Sequence, residues 1–264
     1  CTLLVLANLY RNLGFKAQEI FWSILLLSVT PFVLGIGLLV TPDAPLCFGW
    51  ALSLHEMERA IFSNPKRWLT AGISVGIALL SKYTAILLFP LIVIFAITSF
   101  RREVHQFRGY YAAAFAIALL IFSPNISWNL SHHWATFGFQ LPRAIAAVNP
   151  SGAGLAHSNA ASINEVLHLL SSAMLRFFEF VVVQFMAWGA LSIAVIVVFV
   201  FQWKSALKAV RQFKAALSWQ VLSDQHKFLL IASFLPLSTF ALLSFLTKVE
   251  ANWPMVFALS AAPL

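Results

Sequence analysis

Two short polar clusters in a very apolar chain carry groups that could bind or react with a substrate. Asp43 lies in a turn between Pro42 and Pro45, whose rings restrict the backbone and hold the carboxylate in place. Such a carboxylate can cap the helix that follows, accept a proton from a hydroxyl, or ligate a metal ion. Lys82 and Tyr83 lie between two apolar runs, where the ammonium either extends to the membrane interface or binds a phosphate.

Two further polar clusters occur later in the chain. The third contains Asn129, His133 and Trp134. Amide, imidazole and indole groups line sugar-binding sites, and they also form the belt at a membrane surface, so both interpretations stay open. The fourth is a turn containing Lys248, Glu250 and Asn252. A local ion pair and a phosphate-binding ammonium are the two interpretations of that turn.

The elements that position these clusters must be membrane helices. Of the 264 residues, 61% are hydrophobic and 10% are charged. Soluble domains have about 45–50% apolar and about 25% charged residues, so this composition excludes a soluble domain, a disordered chain and a nucleic-acid-binding protein. In a membrane protein the net charge of +8 matters through the positions of the positive residues.

Nine apolar runs are interpreted as spans, of which the first and last are truncated by the chain ends. They are residues 1–10, 20–40, 46–62, 69–80, 84–100, 110–123, 177–201, 228–246 and 253–264. The runs 69–80 and 84–100 could form one long helix or a hairpin that turns at Ser81 to Tyr83. Only the hairpin places most positive residues on one side, which the positive-inside rule makes cytoplasmic. On that side lie Arg11, Lys16, Arg59, Lys66, Arg67, Arg101, Arg102, Arg108, Lys204, Lys208, Arg211, Lys214 and Lys227.

The predicted fold is therefore an all-α, polytopic transmembrane helical bundle with about nine membrane segments. We predict a single domain over residues 1–264, within which residues 124–176 form a long outer, periplasmic loop. Apolar residues at helical spacing predict a short amphipathic helix in this loop, at residues 159–174. All four polar clusters then lie on the outer face.

The four clusters, in this order and spacing, resemble the bacterial protein-mannosyltransferase-like glycosyltransferases of family 39. That group is related to the lipid A aminoarabinose transferase and belongs to the C-type superfamily of glycosyltransferases. The resemblance extends from about residue 24 to residue 264. It rests on the strings TPDAPLCFGWALSLHEMERA, WLTAGISVGIALLSKYTAILLFP, SPNISWNLSHHWATFGFQ and KVEANWP.

The resemblance implies an enzyme of the bacterial inner membrane that moves a sugar from a polyprenyl-phosphate carrier to a lipid, protein or glycan acceptor. It implies an assisting catalytic role for Asp43, with the main acidic residue expected upstream of Cys1 in a longer chain. Lys82 and Lys248 would bind the lipid phosphate. The other substrate-binding residues would be Tyr83, Asn129, His133, Trp134, Glu250 and Asn252.

Cofactor use and a second function stay open at this point. A divalent metal ion held by Asp43 is one option for a cofactor. The expected partners are the lipid-linked sugar donor, the acceptor and membrane lipids, with no nucleic acid. The alternative function is a transporter or lipid flippase, which typically shows inverted repeats and polar groups near the bilayer midplane. The absence of a sequence repeat and the position of the clusters at one rim favour the enzyme.

Overall fold

A computed structural model describes residues 1–39, 41–98, 101–136, 138, 163–201 and 223–264. All regular structure within these residues is helical, which confirms the all-α prediction. The α-helices are α1 (Thr2–Asn12), α2 (Ala17–Ser28), α3 (Pro31–Leu38), α4 (Asp43–Phe62), α5 (Arg67–Ser81), α6 (Leu88–Thr98), α7 (Arg101–Ser131), α8 (Ile163–Trp188), α9 (Ala190–Phe201), α10 (Asp224–Leu246) and α11 (Ala258–Ala261). Two 3-10 helices, Tyr83–Leu87 and Met255–Phe257, precede α6 and α11.

Three of the described helices are long and apolar enough to cross a membrane, namely Arg108–Ser131 of α7, Leu167–Trp188 of α8, and α10. The pair α2 and α3 would count as a fourth span, but it is bent by 63° where Pro31 follows Thr30. Proline cannot donate the backbone hydrogen bond that would continue α2, which explains the bend. The chain is thus a membrane protein, while the full count of nine segments stays a prediction.

Close packing of α5 against α4 and α7 forms the centre of the bundle. A Cβ atom on Gly72 would lie 2.5 Å from the carbonyl oxygen of Ala114, and one on Gly76 would lie 2.7 Å from Cβ of Ile121. Glycine is needed at both positions because the neighbouring helix occupies the space of a side chain. The contacts run in the same order along α5 and α7, so these two helices are parallel.

The chain reverses direction at Lys82, as the positive-inside rule predicts. Lys82 has extended backbone angles (φ −161°, ψ 138°) and ends α5. Tyr83 packs on Phe122, and Phe89 packs on Phe115 farther back along α7. The segment from Tyr83 into α6 is therefore antiparallel to α7, and the hairpin at Ser81 to Tyr83 is confirmed.

We call the end of the bundle with Asp43 and Lys82 the site end, and the opposite end, with Glu56 and Arg67, the basal end. At the basal end the buried Glu56 carboxylate accepts hydrogen bonds from Arg67 Nη1 (3.1 Å) and from the hydroxyl of Thr70. His55 Nδ1 lies 3.1 Å from the same carboxylate. These polar contacts fix α4 against α5 far from the predicted site.

The last segment after α10 returns along the inside of the bundle. Tyr10 donates a hydrogen bond of 2.5 Å to the carbonyl of Leu259, and Ser233 donates one of 3.0 Å to Ser260. Because α10 ends at Leu246 at the site end, the chain after Leu246 turns at that end and then runs back into the core as far as Leu259. This turn carries the fourth polar cluster.

The predicted outer loop is shorter than expected at both of its ends. Pro124 lies inside α7, which continues to Ser131 because a membrane helix tolerates proline where neighbouring groups satisfy the freed backbone. Residues 163–174, predicted to lie in a short separate helix, are the first turns of α8. Residues 137 and 139–162 lie outside the described part of the chain. The first four residues of the predicted loop helix, 159–162, are among them. The predicted span 177–201 is also divided, since Gly189 takes a positive φ of 47° between α8 and α9.

Candidate functional site

Asp43 begins α4 at the site end and is the central charge of the candidate site. The proline-bounded turn leads directly into the helix, and Asp43 occupies its first turn, where the helix dipole favours a negative charge. Only 4% of the residue is exposed. A carboxylate removed from water to this degree requires hydrogen-bonding partners from the protein.

Both oxygens of the Asp43 carboxylate have partners. Oδ1 lies 2.7 Å from Nζ of Lys82, and Oδ2 accepts a hydrogen bond of 2.9 Å from the side-chain amide of Asn252. The partners come from the hairpin between α5 and α6 and from the turn after α10. This cluster of Asp43, Lys82 and Asn252, which we call the acid–lysine cluster, joins three of the predicted elements at one point.

Tyr83 extends the acid–lysine cluster into a second polar network on α7. Its hydroxyl donates a hydrogen bond of 2.8 Å to Oδ1 of Asn125. The buried Asn129 lies between these groups and the chain beyond α7, since its amide nitrogen is 3.4 Å from the Tyr83 hydroxyl and its Oδ1 accepts from the backbone nitrogen of Thr136 (3.3 Å). Lys82 and Tyr83 are adjacent in the chain, so members of all four predicted clusters meet in one region.

The end of α7 forms a strained corner at the rim of this region. His133 and Trp134 take φ values of 53° and 57°, a left-handed conformation that non-glycine residues adopt at a cost. The backbone nitrogen of Trp134 donates to the carbonyl of Asn129 (2.8 Å), which closes the corner. Trp134 is 45% exposed at this rim.

An apolar cavity of about 370 Å³ opens next to the acid–lysine cluster. Its lining residues are Lys82, Tyr83, Thr84, Ile86, Leu87, Thr239, Phe240 and Trp253. The hydroxyl oxygen of Thr84 is buried there and has no hydrogen-bond partner among the described residues. Thr84 belongs to the same short polar stretch as Lys82 and Tyr83, whereas Thr239 and Phe240 could not be found from the sequence, because a threonine or phenylalanine inside an apolar run gives no signal of its own.

Lys248 and Glu250 make their contacts outside the acid–lysine cluster. Lys248 Nζ pairs with Glu179 Oε1 at 3.1 Å, a partner on α8 that the sequence analysis did not consider. The hydrogen bond and the charge of Glu179 raise the pKa of Lys248. Glu250 is exposed and its backbone carbonyl accepts from Trp253. The proposed binding roles of Lys248, Glu250 and His133 stay predictions.

The described residues do not fit a resident metal ion at Asp43. The ammonium of Lys82 lies where a cation would contact Oδ1, and Asn252 occupies Oδ2. Within the described part of the chain, no three His, Cys, Asp or Glu side chains lie together as metal ligands would.

The first half of the chain is similar to a known protein family. Residues 1–128 match the model of a family described as dolichyl-phosphate-mannose-protein mannosyltransferase. The matched residues include Asp43, Lys82 and Tyr83. No curated protein and no solved structure shows significant similarity to the chain. Together with the apolar helices, the match supports a mannosyltransferase-like transmembrane glycosyltransferase.

Proposed function

We propose that this protein transfers a sugar from a polyprenyl-phosphate carrier to a lipid, protein or glycan acceptor at the outer face of a bacterial inner membrane. The observation that carries the proposal is the acid–lysine cluster at the edge of an apolar cavity. A lipid-linked sugar phosphate has the matching parts, namely an anionic group and an apolar chain. The family that matches residues 1–128 is named for a sugar carried on a polyprenyl-type phosphate, which is consistent with this class of donor.

Lys82 is the group best placed to bind the carrier phosphate. During transfer, the acceptor oxygen forms a bond to the anomeric carbon and gives up its proton to a base, while the bond between that carbon and the phosphate oxygen breaks and leaves its electron pair on the phosphate oxygen. An ammonium beside the oxygen stabilises the growing negative charge. Lys82 lines the cavity and its Nζ lies at Asp43, so a prenyl chain in the cavity can bring its phosphate within reach of this lysine.

Asp43 assists sugar transfer indirectly, because its carboxylate positions the ammonium of Lys82. Because Oδ1 and Oδ2 are both engaged, the carboxylate holds the ammonium of Lys82 in place. Asn252 fixes the second oxygen and thereby the orientation of the carboxylate. Proton removal from the acceptor hydroxyl requires a further base, which we expect to be another carboxylate.

The test is donor binding and transfer by the full-length protein in liposomes, with a radiolabelled polyprenyl-phosphate sugar. We expect Lys82→Met to weaken binding of the donor by at least tenfold, since a charge-assisted contact to phosphate is lost. Asp43→Asn should reduce transfer strongly while the protein still reaches the membrane. Lys227→Met, which removes a lysine at the opposite end of α10, is the matched control.

The outcomes separate the proposal from its alternative. Unchanged donor binding in Lys82→Met would remove this lysine from the phosphate site. Movement of the intact lipid-linked sugar across the bilayer, without transfer, would favour the flippase interpretation.

A further inference from the structure

A second apolar groove lies on the other side of α10 from the first cavity. It has a volume of about 300 Å³, at the lower end of the range for small-molecule sites. Its lining residues are Phe177, Phe180, Val181, Gln184, Phe185, Trp188, Leu237 and Ala241. Phe180 and Phe240 belong to the apolar cluster that lies between the two cavities. Sugar transfer at the acid–lysine cluster does not use this groove.

The site end of this groove is next to a half-buried arginine whose hydrogen bonding is incomplete. Nη2 of Arg176 donates to the carbonyl of Phe245 (2.8 Å), while its Nε is buried and has no partner among the described residues. A guanidinium has five N–H donors, and a buried one that lacks an acceptor is costly. Arg176 is followed directly by Phe177, the first residue of the groove, which stacks on Phe245 at 4.5 Å.

A second positive group lies beside Arg176. Glu179, one helical turn along α8, binds Lys248 at 3.1 Å, and both side chains are at least half exposed. The three groups Arg176, Lys248 and Glu179 sum to one positive charge. Because the Lys248 pair faces solvent, the ammonium can move to an added anion at little cost.

We propose that Arg176 and the groove along α8 and α10 bind an anionic phospholipid of the surrounding membrane. Its phosphate would accept hydrogen bonds from Arg176, with Lys248 beside it, and one acyl chain would lie in the groove. The distance supports this occupant, since eight residues of helix from Arg176 to Gln184 span about 12 Å toward the bilayer interior. A free phosphate would use the arginine and leave the apolar groove empty.

The bound lipid would also support the acid–lysine cluster. Gln184 lines the groove and donates a hydrogen bond of 3.1 Å to the carbonyl of Ala251. The next residue, Asn252, is the amide that binds Asp43. A filled groove therefore holds α8 against the turn that completes the candidate site.

The test is lipid retention by the full chain in nanodiscs of phosphatidylcholine with a small fraction of phosphatidylglycerol, measured by native mass spectrometry. We expect wild type to retain one phosphatidylglycerol in preference to phosphatidylcholine, and Arg176→Gln to lose about tenfold in this preference. Arg11→Gln, which removes an exposed arginine on α1, is the control and should keep the preference.

A second variant covers the case in which Arg176→Gln does not fold. Ala241→Phe fills the groove and leaves the arginine in place, so it should also reduce retention. Equal retention of the two lipids by wild type, or unchanged retention in both variants, would overturn the proposal. It would also be overturned if inorganic phosphate alone raised the melting temperature as much as phosphatidylglycerol, or if polyprenyl phosphate displaced the phospholipid at an equal molar ratio.

Discussion

The ion pair between Asp43 and Lys82 should contribute a large coupling energy to folding. The two charges are 2.7 Å apart, and the carboxylate and ammonium side chains are only 6% and 19% exposed. At an effective dielectric constant of about 20, their attraction is about 6 kcal/mol before the cost of desolvation. Breaking one partner of a buried pair costs about 3–5 kcal/mol.

A double-mutant cycle with Asp43→Asn and Lys82→Met measures this coupling. We expect about 3 kcal/mol, the lower end of that range, because asparagine keeps a polar contact and Lys82 retains some access to water. The double variant should therefore be clearly more stable than the sum of the single effects predicts. Reversible unfolding in mixed micelles, titrated with a denaturing detergent, gives the four free energies of unfolding.

The chain offers a matched control pair in Asp224 and Lys227. These groups are 2.9 Å apart on one helix; the Lys227 side chain is 14% exposed, but water reaches Asp224, whose side chain is 49% exposed. Water screens such a pair, so the same cycle with Asp224→Asn and Lys227→Met should give about 0.3–0.5 kcal/mol. A coupling below about 1 kcal/mol for Asp43 and Lys82 would refute the reasoning, since it would mean that the pair is open to water or not formed.

Two further predictions concern the packing and the orientation of the bundle. Gly72→Ala should destabilise the protein by about 1–3 kcal/mol, because its Cβ meets the backbone of Ala114, whereas Gly109→Ala, with open space around it, should be neutral or stabilising in the same unfolding assay. An equal effect of the two substitutions would contradict the close approach of α5 and α7. In a background without Cys1 and Cys47, a membrane-impermeant maleimide added to intact cells should label His133→Cys at the site end and leave Asn64→Cys at the basal end unlabelled. Labelling only of residue 64 would reverse the proposed orientation.

Much of the architecture could be predicted from local features of the sequence. The apolar composition predicts membrane helices, and the positions of the lysines and arginines select the hairpin at Lys82, which the structure confirms. Pro42 and Pro45 indicate a rigid turn at Asp43. Hydropathy and proline geometry act over a few residues, and the bias of positive residues to one side then orients the helices that they flank.

The helix boundaries were less predictable. Proline is a strong helix-ending signal in soluble proteins, yet α7 continues through Pro124 to Ser131. The spacing of apolar residues predicts a helix that ends at residue 174, whereas in the structure this helix continues as α8 to Trp188. A period of 3.6 residues identifies a helical face but carries no information on where the helix stops.

The residue types along the chain establish which groups are available for chemistry, and the packing of the helices establishes which of these groups meet. Asp43 and Asn252 are 209 positions apart, and only the return of the chain after α10 brings them within hydrogen-bonding distance. In the same turn, Lys248 forms an ion pair with Glu179, whereas the partner of Asp43 is Lys82. Residue type fixes what a side chain can donate or accept, whereas its partner depends on helix packing between segments far apart in the chain.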